Sequence, residues 1–306
     1  MTTDSAKAAG EAGLRTRDAP DTQRGDGAAA GAFFHRFGGE LHPQPAARGY
    51  WSASRIHGRL FGGLAARAVE REHLEGGLVP ARLTLDLFRS APMTPVTVSS
   101  ERVRDGRRIR VVDVGIRTGG ELVARAQVVL LQAGGRAVGE VWSPPAWVPP
   151  PVDTLGPPHR TSRPGEFVPP FDLWRVDPDE RSSPGSGAVR RRAVLRETRQ
   201  LVLGEALGPL VRLGLAADYA SPLANSGTSG LEFINADFTL RLCRMPADEA
   251  IGMESSGHMA SDGIAVGQAT LFDGLGAFGT CGVSALANVR RQGGAPGDPG
   301  APSIGP

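Results

Sequence analysis

Asp218 raises the first chemical question. It closes an almost wholly apolar run, RLGLAADYASPLANSG over 212–227, and a carboxylate near a helix C-terminus meets the negative end of the helix dipole, an unfavourable ~0.3–1 kcal/mol. A carboxylate at the end of a buried apolar helix is partly desolvated, which makes it a stronger base near neutral pH, able to take a proton from water. The plain alternative is a side chain that bonds loop N–H groups and ends the helix. Asn235, in the segment LEFINADFTLRLCR, carries an amide that can hold a water or a carbonyl oxygen, or can satisfy backbone groups beside its strand. Thr239 is placed on the same strand face as Asn235 and assigned to packing, and Asp237 is read as an outer-face charge.

Two further groups open the chain's first helix. Gly62 and Gly63 in RIHGRLFGGLAARAVE would leave N–H groups uncovered to polarise a carbonyl, or would let a helix pack closely on its neighbour. His57 invites a general-base reading, but its own segment offers no acidic partner, so it is read as a loop histidine. Arg104, Arg107 and Arg108 flank a turn and are read mainly as solvated. The chain has no GxSxG, HExxH, Gly-rich phosphate loop or clustered His/Cys, so Ser-triad hydrolases, P-loop enzymes and metalloenzymes are unsupported.

These residues must be positioned by two similar blocks. A short aromatic strand, AFFHRF, precedes a helix over about 60–74 and four strands, ARLTLDLFRSA, VTVSSERVR, RRIRVVDVGIRT and ELVARAQVVLL. The middle two are joined at Asp105-Gly106 and the last two at Gly119-Gly120, both tight-hairpin signals. The second block runs PFDLWRV, AVLRETRQLVL, a helix over about 207–219, and four more strand candidates. Gly63-Leu64-Ala65-Ala66 matches Gly214-Leu215-Ala216-Ala217, and LTLDLFR (83–89) matches FTLRLCR (238–244) at nearly the same separation. That double agreement indicates a duplication. The second helix is apolar nearly all round and must be buried on most faces.

The expected organisation is a disordered tail at 1–31, a first domain at 32–142, a proline-rich linker at 143–170, a second domain at 171–290 and a disordered tail at 291–306. Hydrophobic residues at 40% and charged residues at 22% suit a globular protein, and a net charge of +2 argues against a nucleic-acid partner. Two cysteines without a pairing pattern, both read as small core residues, point to a reducing compartment. The absence of a signal-like segment or a run of ~20 apolar residues points to a cytoplasmic protein without membrane association.

A helix lying along a curved antiparallel sheet, repeated in tandem, is the hotdog architecture: an α+β double hotdog with two antiparallel sheets, each wrapped around a central helix. LFGGLAARAVE followed by LTLDLFRSAPMTPVTVSSERVRDGRR, and AADYASPLANS…INADFTLRLCRMP…GQATLFDGLGAFG, resemble the two hotdogs of the acyl-CoA thioesterase II family, with the divergent actinobacterial members nearest. The resemblance spans roughly residues 32–290. It implies hydrolysis of acyl-CoA to free acid and CoA, no metal or redox cofactor, and a tendency to form homo-oligomers. It places the family's water-orienting carboxylate at Asp218, its strand Thr at Asn235 and its last-strand Gln at Val283. Gly62, Gly63, His57, Thr239 and Val283 are then the candidate substrate-binding residues, the glycines towards the pantetheine arm. Valine in the glutamine position favours one alternative, a non-catalytic acyl-thioester-binding protein. A hotdog dehydratase or hydratase, the other alternative, needs a His/Asp pair that is not evident.

Overall fold

The computed structural model describes residues 31–49, 52–135, 138–143, 147–159, 170–176, 190–228 and 230–288. The expected tails, apart from Gly31, lie outside the described residues, as does 160–169 of the expected linker. The first half contains β1 (Phe34–Phe37), β2 (Glu40–Pro43), helix α1 (Arg59–Glu72), β3 (Leu78–Leu87), β4 (Val96–Asp105), β5 (Ile109–Thr118) and β6 (Glu121–Gln132). The second contains β7 (Asp172–Arg175), β8 (Arg192–Arg196), α2 (Pro209–Ala216), α3 (Ala220–Asn225) and a short pair β9 (Ser226–Gly227) and β10 (Gly230–Leu231). It continues with β11 (Phe233–Asn235), β12 (Asp237–Leu242), β13 (Ala250–Ser261), β14 (Ile264–Asp273) and β15 (Gly276–Ala287). Gly119 and Gly120 turn β5 into β6 with φ of 56° and 84°, the left-handed pair a two-residue hairpin needs.

Both halves wrap an antiparallel meander on a helix, as a double hotdog requires. The two sheets are nevertheless one. Strand order runs β1-β2-β4-β5-β6-β3-β12-β15-β14-β13-β8-β7, because β3 and β12 pair edge to edge and so leave neither edge unpaired. The pairing sets Thr84 opposite Thr239, the equivalent residues of the sequence repeat, so the halves are related by a local two-fold passing between them. On the inner side α1 crosses α2 at Gly62 and Gly214. A Cβ on either glycine would stand 2.4 Å from the other's carbonyl oxygen, so only glycine permits this approach.

The halves also interlock through their connections. Phe33 and Phe34, fully buried, donate backbone hydrogen bonds to Gln200 and Leu201 of the second half. The described part of the proline-rich segment packs on the second half, Trp147 edge-on to Phe272 with centroids 5.3 Å apart and the Trp174 indole N–H donating to the Gly156 carbonyl. Of AVLRETRQLVL only the first four residues are strand, as part of Arg192–Arg196. Cys281 is buried as expected, but Cys243 is exposed.

Candidate active site

The apolar run of the second half does not break at Tyr219. After α2 the chain makes a 3-10 turn, Ala217–Tyr219, and continues as α3 to Asn225. Asp218 therefore sits inside a helical segment, in its tightened turn, rather than at a terminus. Ser221 follows one turn later, buried, and its Oγ has no hydrogen-bond partner among the described residues.

Asn235 Nδ2 donates to Asp218 Oδ1 at 2.9 Å. A β-bulge makes this contact. Asn235 pairs with Ala285 on β15, whereas Thr239 pairs with Gly282, so one extra residue at Ala236–Asp237 reverses the alternation and turns Asn235 to the inner face with Phe238. Thr239 consequently faces the other way from Asn235, correcting its expected placement: its hydroxyl meets Thr84 Oγ1 at 3.1 Å. Asp237 is on the outer face, accepting from Ser284 N at 2.6 Å and Ser284 Oγ at 3.0 Å.

His57 is not an isolated loop histidine. Its Nδ1 lies 4.0 Å from Asp218 Oδ2, the acidic partner coming from the other half of the chain. The Arg59 backbone N–H, in the opening turn of α1, points at the same Nδ1 at 3.3 Å. Nδ1 is thereby an acceptor, and a neutral ring must carry its proton on Nε2. Burial lowers the His57 pKa below its ordinary value of 6.5; the Asp218 charge opposes this and the Arg59 charge adds to it.

Arg59 holds this arrangement and had no distinguishing signal in sequence. Its guanidinium, 4% exposed, pairs with buried Glu197, donates from Nε to the Leu215 carbonyl at 3.2 Å and lies 4.6 Å from the Phe171 ring centroid. It thus ties the start of α1 to the end of α2, which brings His57 towards Asp218.

The remaining candidates fall elsewhere. Gly62 and Gly63 are buried in the helix crossing, where a Cβ on Gly63 would meet Leu215 Cδ2 at 2.7 Å; the structure uses them for packing rather than as an open substrate surface. Val283 is 3% exposed on the inner face of β15, two residues from Ala285, so it adds no polar group. Arg104 stands opposite Val111 near the β4–β5 turn. The Cys281 Sγ lies 3.5 Å from the Ala217 carbonyl, and burial first, then the Asp218 and Asp237 charges, push its thiol far up; it is a neutral packing group and no nucleophile.

The architecture is a double hotdog, and comparison with known proteins gives its family. The acyl-CoA thioesterase N-terminal domain family matches residues 47–131 and the acyl-CoA thioesterase C-terminal domain family matches 146–282. The chain belongs to the acyl-CoA thioesterase family and hydrolyses acyl-CoA thioesters. No curated protein matches it. Among solved structures it is similar to the tesB protein of Mycobacterium avium subspecies paratuberculosis (14% identity, 84% of this chain and 96% of that one, TM-score 0.60). It is also similar to a thioesterase II of Thermobifida fusca (17%, 85% and 97%, 0.62) and to a hot dog fold protein of Alicyclobacillus acidocaldarius (16%, 84% and 96%, 0.63). At these identities the structures speak for the fold.

Proposed function

We propose that hydrolysis runs where the two halves meet, on Asp218, Asn235 and His57. Asp218 is the general base: it takes a proton from water as the water oxygen bonds to the thioester carbonyl carbon. Asn235 occupies Oδ1 and so orients the carboxylate, leaving Oδ2 for water. His57, neutral and protonated on Nε2, donates to the developing oxyanion, as a neutral imidazole at a helix N-terminus can. Collapse breaks the C–S bond, and Asp218 returns the proton to the departing CoA sulfur. The unpartnered Ser221 hydroxyl is a third contact for the water, in place of the amide that Val283 cannot supply. The observation that carries this reading is the Asn235–Asp218 hydrogen bond with His57 within 4.0 Å of the same carboxylate.

Free thiol followed during incubation with acyl-CoAs of several chain lengths tests it. Asp218→Asn should lower kcat by about 10²–10⁴ with an unchanged circular dichroism spectrum; unchanged turnover removes Asp218 as base. Buried Val283 favours a second reading, in which the site binds acyl thioesters without turning them over. Saturable binding without thiol release from any chain length would establish it. Consumption of an enoyl-CoA without thiol release would instead point to a hydratase using the His57–Asp218 pair.

We also take 32–142 and 171–290 as the two domains and place the enzyme in the cytoplasm, in fatty acid metabolism; among the described residues no helix is long and apolar enough to cross a membrane. Self-association is supported by an apolar outer patch on β11 and β13–β15, where Ile234 and Ile264 flank Leu286 and Met259 faces Val266, all of them exposed.

A further inference from the structure

The duplicated fold has a second pole. The separation that aligns Gly63-Leu64-Ala65-Ala66 with Gly214-Leu215-Ala216-Ala217 sets Arg67 in the place of Asp218 and Gly208 in the place of His57. In the sheet, Pro80 pairs with Leu130 where Asn235 pairs with Ala285. Each of the three polar groups of the first pole is therefore replaced. Open space remains. A cleft of about 280 Å³ lies there, with Arg67, Arg71, Glu70 and Glu205 among its polar residues and Leu207 and Val211 among its apolar ones.

Within the lining Arg67 and Arg71 balance Glu70 and Glu205, and Arg36, which reaches Glu205 from beside it, adds one positive charge. Glu205 accepts from Arg67 Nε and Nη2, each at 2.6 Å, and from Arg71 and Arg36 at 3.3 Å each. Three guanidiniums share one carboxylate, and hydrogen bonding from Arg67 above all holds its pKa below the usual range against the opposing effect of burial. Glu70 accepts from the Leu210 N–H at 2.6 Å at the start of α2, and burial raises its pKa above the usual carboxylate range. The side chains of Arg71 and Arg36 are about half exposed, at 50% and 48%, so surplus positive charge faces solvent at the cleft.

We propose that this second cleft binds a short-chain carboxylate, the class of free acid that hydrolysis releases. A carboxylate head matches the half-exposed Arg71 guanidinium, with Arg36 beside it, and a short apolar tail lies along Leu207 and Val211. The volume of about 280 Å³ suits a short chain, being just below the ~300–1,000 Å³ usual for ligand sites. Charge reversal at the position equivalent to Asp218 thus converts a water-activating pole into an anion-holding one. The product identity rests on the thioesterase reading, whereas the cleft and its charge do not.

Calorimetric titration of hexanoate into the full protein tests this, with the Asp218 site first saturated by a non-hydrolysable acyl-CoA thioether. One further site is expected. Arg71→Glu should weaken it at least tenfold, and Glu205→Gln, which removes the internal competitor, should tighten it several-fold; both variants are checked for an unchanged fold by circular dichroism. No heat with hexanoate, or weaker binding in Glu205→Gln, overturns the proposal. Inorganic phosphate binding as tightly as hexanoate overturns the tail, and hexanol binding as tightly overturns the charge. Repeating the titration in Asp218→Asn separates the two readings: hexanoate retained there, with turnover unaffected by the substitution, sinks the catalytic assignment alone.

Discussion

At one pole of the helix pair stand Asp218, Asn235 and His57; at the other stand Arg67, Pro80 and Gly208. The backbone treats the two alike. A bulge interrupts β3 between Pro80 and Arg82, leaving Ala81 unpaired, and its repeat equivalent Ala236 marks the bulge between β11 and β12. Both bulges turn the preceding residue inward, and both helices cross at a glycine. The duplication therefore copied the geometry of a site, and side-chain identity alone decided which copy carries the proposed catalytic groups. Asn235 can donate to a carboxylate, whereas Pro80 has no donor at all.

The largest effect on this contrast is expected at Asp218, by the thiol-release loss given above. Arg59→Met should follow, because it strands buried Glu197 without its partner. A loss of about 3–5 kcal/mol in thermal or denaturant unfolding is expected, and a change below 1 kcal/mol would show that Arg59 does not hold the two halves together. Asn235→Ala removes a hydrogen bond to a charged group, worth about 1.5–3 kcal/mol. The expected result is a ten- to hundredfold lower kcat with KM nearly unchanged; a rise in KM alone would make Asn235 a substrate-binding residue.

His57 gives a smaller effect, readable in pH. Its folded pKa lies below 6.5, so the unfolded chain takes up the proton first, and the contribution of His57 to stability is constant above about 6.5 and lost as pH falls from there to the lowered value. His57→Gln keeps a donor and removes the titration, so its melting temperature should decline less over that interval; equal declines would mean that His57 is not held neutral. The smallest effect is expected from Val283→Gln. An added amide should raise kcat a few-fold if it reaches the water, and no change would argue that Ser221 already fills that role. Val128 is the repeat equivalent of Val283 in the first half, so this change makes the two poles more unlike.

Much of this was legible in the order of residues. Apolar spacing located both central helices, Gly119-Gly120 marked a hairpin, and the two matched segments revealed the duplication because copied elements keep their relative positions. Asp218 stood out because a carboxylate in an apolar run demands a reason. The neighbourhood of His57 is not legible in sequence for a physical reason: its acidic partner Asp218 lies far along the chain, and no local pattern reports a contact made by folding. Strict alternation puts Thr239 on the wrong face because it fails at a bulge, and Ala236 carries no sign of one. The expected helix over about 207–219 stops short of its observed end at Asn225 because polar residues such as Ser221 and Asn225 signal a loop, although both are buried.

The sequence by itself determined the two hotdogs, their helices and the carboxylate in the second, since these depend on local periodicity and on repetition. Tertiary structure alone decided that the sheets fuse through β3 and β12, that a bulge swings Asn235 onto Asp218, and that Arg59 draws His57 in from the other half. Those outcomes depend on packing between distant segments, where a glycine crossing and a buried ion pair set distances that no local spacing encodes.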